Sequence, residues 1–396
     1  MIAAVASRLR LHPTVLFVAS VHFVVDGYGN IFSPLLPLLI PRLGLSLAAA
    51  GTLTMLFQLS ASVSQIAFGH LADRWRPRLL LMAGPIVSVL VLSFVGASTS
   101  MQMAAGILIV GGLGGAAFHP PAAALAYRLG ADRPGLAMSV HITGGSLGFS
   151  LGPLLFAPFA QRYGLEWTPI LALPGLVVVL FFLSRLPQVT WTTTTTAGFR
   201  ALRPYVRPLA LLYFIVVLRT MTSIAFATFM PVLLTSHGMS LASAGSAVAV
   251  YLFASGIGGV LGGPAADRFG ARLVIALSLV CAVPFLFLAS LNQGWAFVIL
   301  VAVGGFFLQS TLPVNVTFGQ ALAPVSAATV SSLMMGFAWG SGGLSVPFVG
   351  MVADRIGIEG TLRWLALVPL AAAALSMPLP ARAPARVETP SAADPL

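Results

Sequence analysis

The sequence predicts an all-α membrane protein: twelve transmembrane helices as two six-helix bundles, with both termini in the cytoplasm. Three observations carry this prediction. Of 396 residues, 58% are hydrophobic and only 7% are charged, with a mean hydropathy of +0.99, whereas a soluble domain carries about 25% charged residues. The charges that exist are separated by runs long enough to cross a bilayer several times. The second half of the chain also repeats the first at an offset of about 194 residues. This composition excludes a soluble globular protein, a disordered chain and a secreted disulfide scaffold. The one cysteine, Cys281, excludes an intrachain disulfide and a thiolate metal cluster.

The spans follow from the uncharged runs, because one crossing needs about 20 to 25 residues. The first run, 14 to 40, holds His22 and Asp26, so it reads as a retained span and not as a signal peptide. The second is 47 to 70. From Leu79 to Tyr127, 49 uncharged residues are broken by the small polar stretch at 97 to 102, giving spans 79 to 96 and 102 to 126. Then come 135 to 160, 167 to 184, 207 to 235 and 241 to 264. Between Arg272 and Asp354, 81 residues carry no charge and must form three spans, 273 to 290, 295 to 318 and 326 to 352. The last is 361 to 378. A transmembrane β-barrel would show alternating segments of about ten residues, and these runs are continuous.

Orientation follows from the arginines, which are all twenty of the basic residues. Fifteen fall at the termini and in the even-numbered connections; Arg42, Arg162, Arg355 and Arg363 fall on the other side. Cytoplasmic loops carry the basic excess, so both termini are expected in the cytoplasm. The net charge of +11 is thus a topology signal with lipid contact, and nucleic acid is not an expected partner.

The repeat is direct. PLLIPRLGLSLAAAG (37 to 51) reads against PVLLTSHGMSLASAG (231 to 245), and GHLADRWRPR (69 to 78) against GPAADRFGAR (263 to 272). The organisation expected is an N-terminal bundle over 1–185, a cytoplasmic linker over 186–204 with the run WTTTTT, a C-terminal bundle over 205–380 and a flexible tail over 381–396. Parallel six-span repeats with sites at their interface are an architecture of secondary transporters.

The paired G-x-L-A-D-R-x-x-x-R-like segments, with Asp73, Arg74, Arg78, Asp267, Arg268 and Arg272, resemble the loop signature of the major facilitator superfamily. The resemblance covers the whole chain and implies that these six residues gate the cytoplasmic side, the aspartates facing helix dipoles and the arginines pairing in one conformation only. Within that superfamily, LTMLFQLSASVSQ (53 to 65), GGAAFHP (114 to 120), HITGGSLGFSLGP (141 to 153) and LMMGFAWGSGGLSVPFVGMVADRIG (333 to 357) resemble the fosmidomycin resistance family of drug exporters. Pro121 departs from that pattern, standing where an acidic residue is expected after the His-Pro. Gly144, Gly148, Gly152 and Pro153 resemble the superfamily's antiporter motif without its trailing glycine pair; close helix packing explains the same spacing.

Two charges lie about twelve residues into a span, Asp26 in the first and Arg219 in the seventh, at nearly equivalent places in the repeats. A charge at helix centre costs about 2.5 to 3.5 kcal/mol to insert, so such groups face a cavity or a partner and mark a pathway. The guanidinium of Arg219 presents a fork that matches carboxylate, phosphate or phosphonate oxygens, so the expected solute is anionic or zwitterionic; a permanent strut to Asp26 is the alternative. His22, Asp26 and Asn30 share one helix face at four-residue spacing. Histidine titrates near neutral pH, and Asp26, His22, His119 and His141 are the expected proton-coupling set. The hold of Asp26 on a proton then depends on whether solute occupies Arg219. With Arg219, the expected substrate-binding residues are Asn30, Gln58, Gln309, Asn315 and Trp339.

The function expected is proton-coupled export of a small anionic or amphiphilic compound by alternating access, a drug-efflux and antibiotic-resistance role, in the inner membrane of a bacterium. The partners are solute, protons and lipid, and the protein is expected to act as a monomer. An importer of an organic anion, symporter or uniporter, is built from the same parts. An intramembrane enzyme or receptor is set aside because the membrane interior offers one acidic residue only. No cofactor is expected: without lysine there is no phosphate loop for ATP. No metal is expected either, because the histidines lack a carboxylate ligand at fixed spacing.

Overall fold

The computed structural model describes residues 11–74, 77–130, 133–186, 199–323 and 327–380. Among the described residues every regular element is helical, as an apolar medium requires, since a helix satisfies its own backbone groups. In the first half these are α1 (Pro13–Gly29), α2 (Phe32–Leu43), α3 (Leu47–Ser62), α4 (Ser64–Arg74), α5 (Pro77–Leu92), α6 (Met101–Leu129), α7 (Pro134–Tyr163) and α8 (Ala172–Leu183). The second half has α9 (Val206–Ser236), α10 (Leu241–Phe269), α11 (Ala271–Ala289) and α12 (Gly294–Leu322). After them come α13 (Ala327–Ser331), α14 (Ala338–Gly343), α15 (Val346–Ile356), α16 (Ile358–Leu365) and α17 (Val368–Ser376).

Among the described residues, ten helical stretches are long and apolar enough to cross a bilayer, α1 with α2 and α3 with most of α4 each counting as one. The two remaining expected spans differ for local reasons. The third is the 16-residue α5, with Pro85 inside it. The eleventh is broken between α13 and α14 by a π-helical turn, Ser332–Phe337, ahead of the glycines at 340, 342 and 343. Such a turn inserts extra backbone into a helix and is common at functional sites.

Helix starts and stops repeat between the halves. Ser46 and Ser240 cap α3 and α10, each hydroxyl accepting from the third backbone N–H beyond it, Ala49 and Ser243, at 3.1 Å. Gly44 and Gly238 precede these caps with φ of +60° and +84°, and Gly164 and Gly357 follow α7 and α15 with +92° and +80°. A left-handed backbone at those four tight turns favours glycine. We call the end of the bundle where these turns lie the glycine-turn end.

Buried apolar side chains form two principal clusters. One runs from Val18 to Leu186 and takes in Leu241; the other runs from Leu202 to Leu379. Within the first, α1 and α7 meet backbone to backbone: a Cβ on Gly144, Gly148 or Gly152 would strike the carbonyls of Ala19, Phe23 and Gly27 respectively. The stripe read from the sequence thus holds α7 against the helix that carries His22 and Asp26. Gly258 and Gly262 do the same for α10 against Phe306 and Ser310 of α12. Overpacking costs about 1 to 3 kcal/mol or more where nothing can yield. Gly148→Val is therefore expected to lower the thermal midpoint of the purified protein sharply, while Gly106→Val, with open space around Gly106, leaves it unchanged; a scan of both variants in detergent checks this.

Among the described residues, four hydrogen bonds join the halves toward the glycine-turn end: from Ser33 Oγ to the Ala227 carbonyl, from Leu47 and Ala48 N–H to Asp354, and from Ala242 N–H to Gln161. Close backbone contacts of Gly51 with Val346 and of Gly350 with Leu47 lie beside them.

Candidate functional site

The first half brings its interior charge together with its histidines. One turn of α1 separates His22 from Asp26, and their Nε2 and Oδ2 atoms are 3.1 Å apart. His119 reaches the other carboxylate oxygen from α6, with Nε2 3.5 Å from Oδ1. The backbone carbonyl of His141, on α7, accepts from His22 Nδ1 at 2.8 Å. That bond leaves Nε2 of His22 turned to the carboxylate. The rings of His22 and His141 stack with centroids 4.2 Å apart, and His119 stands edge-on to His22 at 5.0 Å. Gly145 permits this approach, since a Cβ there would collide with His22 Nε2 and Asp26 Oδ2. Asp26 keeps 23% of its side chain accessible and His119 keeps 24%, while His141 is buried. All four expected proton-coupling residues therefore fall in one cluster.

One ground of the sequence reading is corrected here. Metal was set aside because the histidines lack a carboxylate ligand at fixed spacing, yet Asp26 supplies one through the fold, and the ligand atoms of His22, Asp26 and His119 all lie within 4.8 Å of one another. The helix pitch had already placed His22 and Asp26 on one face; the fold added His119.

The second half buries Arg219 completely. Its NH2 donates to Thr220 Oγ1 at 3.0 Å, Nε and NH1 have no hydrogen-bond partner among the described residues, and the Trp339 ring lies 5.6 Å from the guanidinium carbon. Trp339 sits two residues beyond the π-helical turn, so the break in the eleventh span positions an aromatic face over the cation. Asn315 is fully buried with both amide atoms unpartnered among the described residues; Gln309 Oε1 and Ser255 Oγ are in the same condition. A buried polar group without a partner costs about 1 to 3 kcal/mol. Tyr251 and Ser223 join hydroxyls beside this region at 3.1 Å.

Asp26 and Arg219 are not an ion pair: among the described residues, Asp26 is paired to its own half's histidines and Arg219 to no carboxylate. The alternative reading, a strut between the repeats, is thus not made. Asn30 spends its amide N–H on the Phe149 carbonyl at 2.9 Å, tying α1 to α7. Gln58 packs where Gly343 of the other half approaches it. Of the expected gating set, the side chains of Asp73 and Arg74 lie outside the described residues. Arg78, Asp267 and Arg268 are exposed, and Arg272 donates to the Leu379 carbonyl at 3.2 Å.

Sequence reasoning passed over the glycine-turn end, where Arg42 pairs with Glu166 at 3.5 Å and His237 with Glu359 at 2.8 Å. A signal was available: Ala160-Gln161-Arg162-Tyr163-Gly164-Leu165-Glu166 matches Ala353-Asp354-Arg355-Ile356-Gly357-Ile358-Glu359 at an offset of 193.

Two pseudo-equivalent helical halves, each with a charged group in its interior, are an architecture of membrane transporters. The chain belongs to the Major Facilitator Superfamily, whose family profile matches residues 18–215 and 209–394. It is similar to the fosmidomycin resistance protein of Escherichia coli (strain K12), 30% identical over 367 residues covering 88% of each chain. It is also similar to the uncharacterized MFS-type transporter YfnC of Bacillus subtilis (strain 168), 28% identical over 376 residues and 91% of each. Among solved structures, a bacterial homolog of the human lysosomal transporter Spinster, inward-facing and occupied, superposes with a TM-score of 0.76 at 18% identity, covering 91% of this chain and 95% of that one. The nucleoside transporter NupG gives 0.76 at 15% identity, covering 92% and 98%. The resemblance to the fosmidomycin resistance family is therefore shown.

Proposed function

We propose that the protein exports a small anionic or zwitterionic compound in exchange for protons, across the inner membrane of a bacterium, with both termini in the cytoplasm. In this reading the chain crosses the membrane twelve times, α5 and the broken stretch from α13 to α15 included, and the bundles 1–185 and 205–380 rock about the midplane as a monomer. The observation that carries the reading is Arg219, a fully buried cation with two guanidinium nitrogens unpartnered among the described residues. An oxyanion accepts charge-assisted hydrogen bonds from such donors. Asn315, Gln309 and Trp339 complete the solute's surroundings, and Asn30 and Gln58 take part in binding. Asp26 carries the proton among His22, His119 and His141. No cofactor takes part, since the proton gradient supplies the drive. Asp73, Arg74, Arg78, Asp267, Arg268 and Arg272 gate the cytoplasmic side.

Fosmidomycin is the first solute to test, because a 30% identical relative is named for resistance to it. In proteoliposomes, flux of the compound is expected to follow an imposed pH gradient in the antiport direction and to collapse when the gradient is dissipated. Flux indifferent to the gradient removes the coupling; flux in the direction of the proton makes the protein a symporter.

A further inference from the structure

The glycine-turn end is closed by contacts that no loop signature of the sequence reading covers. At the start of α3, the first-turn N–H groups have no intrahelical acceptor, and Asp354 from the far end of α15 supplies one. Its two carboxylate oxygens accept from Leu47 and Ala48 at 2.8 and 2.9 Å, while Ser46 takes Ala49. In the pseudo-symmetric place, Gln161 Oε1 at the far end of α7 accepts from Ala242 at the start of α10 at 2.7 Å, while Ser240 takes Ser243. Both caps are supplied in trans: the fifth span of each half finishes the second span of the other. Five residues on, Glu166 and Glu359 pair with Arg42 and His237 of their own halves. Within each half, the pair holds the connection that follows one capping residue against the connection that leads to the other capping residue's target. The whole arrangement is written twice in the sequence, over 160–166 and 353–359.

We propose that Gln161 and Asp354 are positioning residues for the transport cycle, the two members of a duplicated latch that holds the glycine-turn end shut by capping the opposite half. The members are unequal. Asp354 brings a full negative charge to the positive end of α3 and makes two bonds; Gln161 brings a neutral oxygen and makes one. Release of the Asp354 side is therefore the harder step of opening this end. Both side chains are exposed, so their replacement leaves the core intact.

The latch rests on the rocking of two halves but not on the identity of the solute or the driving ion. Its test is accordingly read without either. In a Cys281→Ser background, Thr99→Cys and Asn292→Cys place spin labels on exposed turns of the two halves at this end, and pulsed electron resonance gives the distance distribution. Asp354→Ala is expected to raise the ratio of long to short distances about tenfold or more, as loss of charge-assisted hydrogen bonds implies. Gln161→Ala should raise it less, and the double variant most. Asp354→Asn, which keeps an acceptor, should recover much of the short population, and Gln161→Glu should deepen it beyond the parent. The last two results separate a latch from a merely structural contact. Distributions that are unchanged in the double variant, or a Gln161→Glu protein that opens like Gln161→Ala, overturn the proposal. Failure there leaves the anion reading of Arg219 standing, and failure of solute flux leaves the latch standing.

Discussion

Arg219→Met is expected to abolish transport and at the same time to raise the thermal midpoint. The two effects share one cause. A buried guanidinium with two nitrogens unpartnered among the described residues is a standing cost, and replacing a buried ionic group by an apolar one of similar length is often neutral or stabilising, by about 1 to 4 kcal/mol. The same donors, once met by an oxyanion, contribute charge-assisted hydrogen bonds of about 1.5 to 3 kcal/mol each, so their loss lowers apparent solute affinity by about two orders of magnitude or more. A shift of a few degrees in a thermal scan, paired with solute flux at background, is the expected result. If Arg219→Met instead lowers the midpoint and spares flux, Arg219 is a structural group and the solute binds elsewhere. Arg219→Lys should also fail, because an ammonium cannot present the planar fork.

Asp26→Asn is expected to separate binding from coupling. The amide has the size of the carboxylate but cannot hold a charge between His22 and His119, whose nitrogens stand 3.1 and 3.5 Å from its oxygens. Solute binding at Arg219, which shares no ion pair with Asp26, should change by less than about threefold, whereas accumulation against a gradient should vanish. Solute exchange between two equal-pH compartments should persist. Equilibrium binding and gradient-driven flux measured on one preparation check both halves of the expectation. Accumulation that survives in Asp26→Asn assigns the proton to another group.

Much of the fold was legible in the sequence because the bilayer is a strict solvent. It forces apolar runs of fixed length, and the offset between Gly44 and Gly238, or between Ser46 and Ser240, exposes the duplication directly. Within the site, the His22–Asp26 pair was legible from helix pitch alone. His119 and His141 could be suspected, but only packing on glycines 144, 145 and 148 shows that His119 meets the carboxylate and His141 stacks on His22. Trp339 was legible as a candidate, yet its placement over Arg219 depends on a π-helical turn that no residue pattern announces. Gln161 and Asp354 went unread for a different reason. Their partners are backbone N–H groups, which carry no side-chain signature, and they lie across the interface, not along the chain.

The glycine contacts between α1 and α7 also bear on how force is transmitted. Side chains interposed between two helices absorb displacement by changing rotamer, but backbone resting on backbone at Ala19, Phe23 and Gly27 leaves no such slack. The histidine-carboxylate cluster is thus mounted on a stiff plate. In the proposed transport cycle, a load on this pair of helices reaches the far edge of the first half as tilt and not as local deformation.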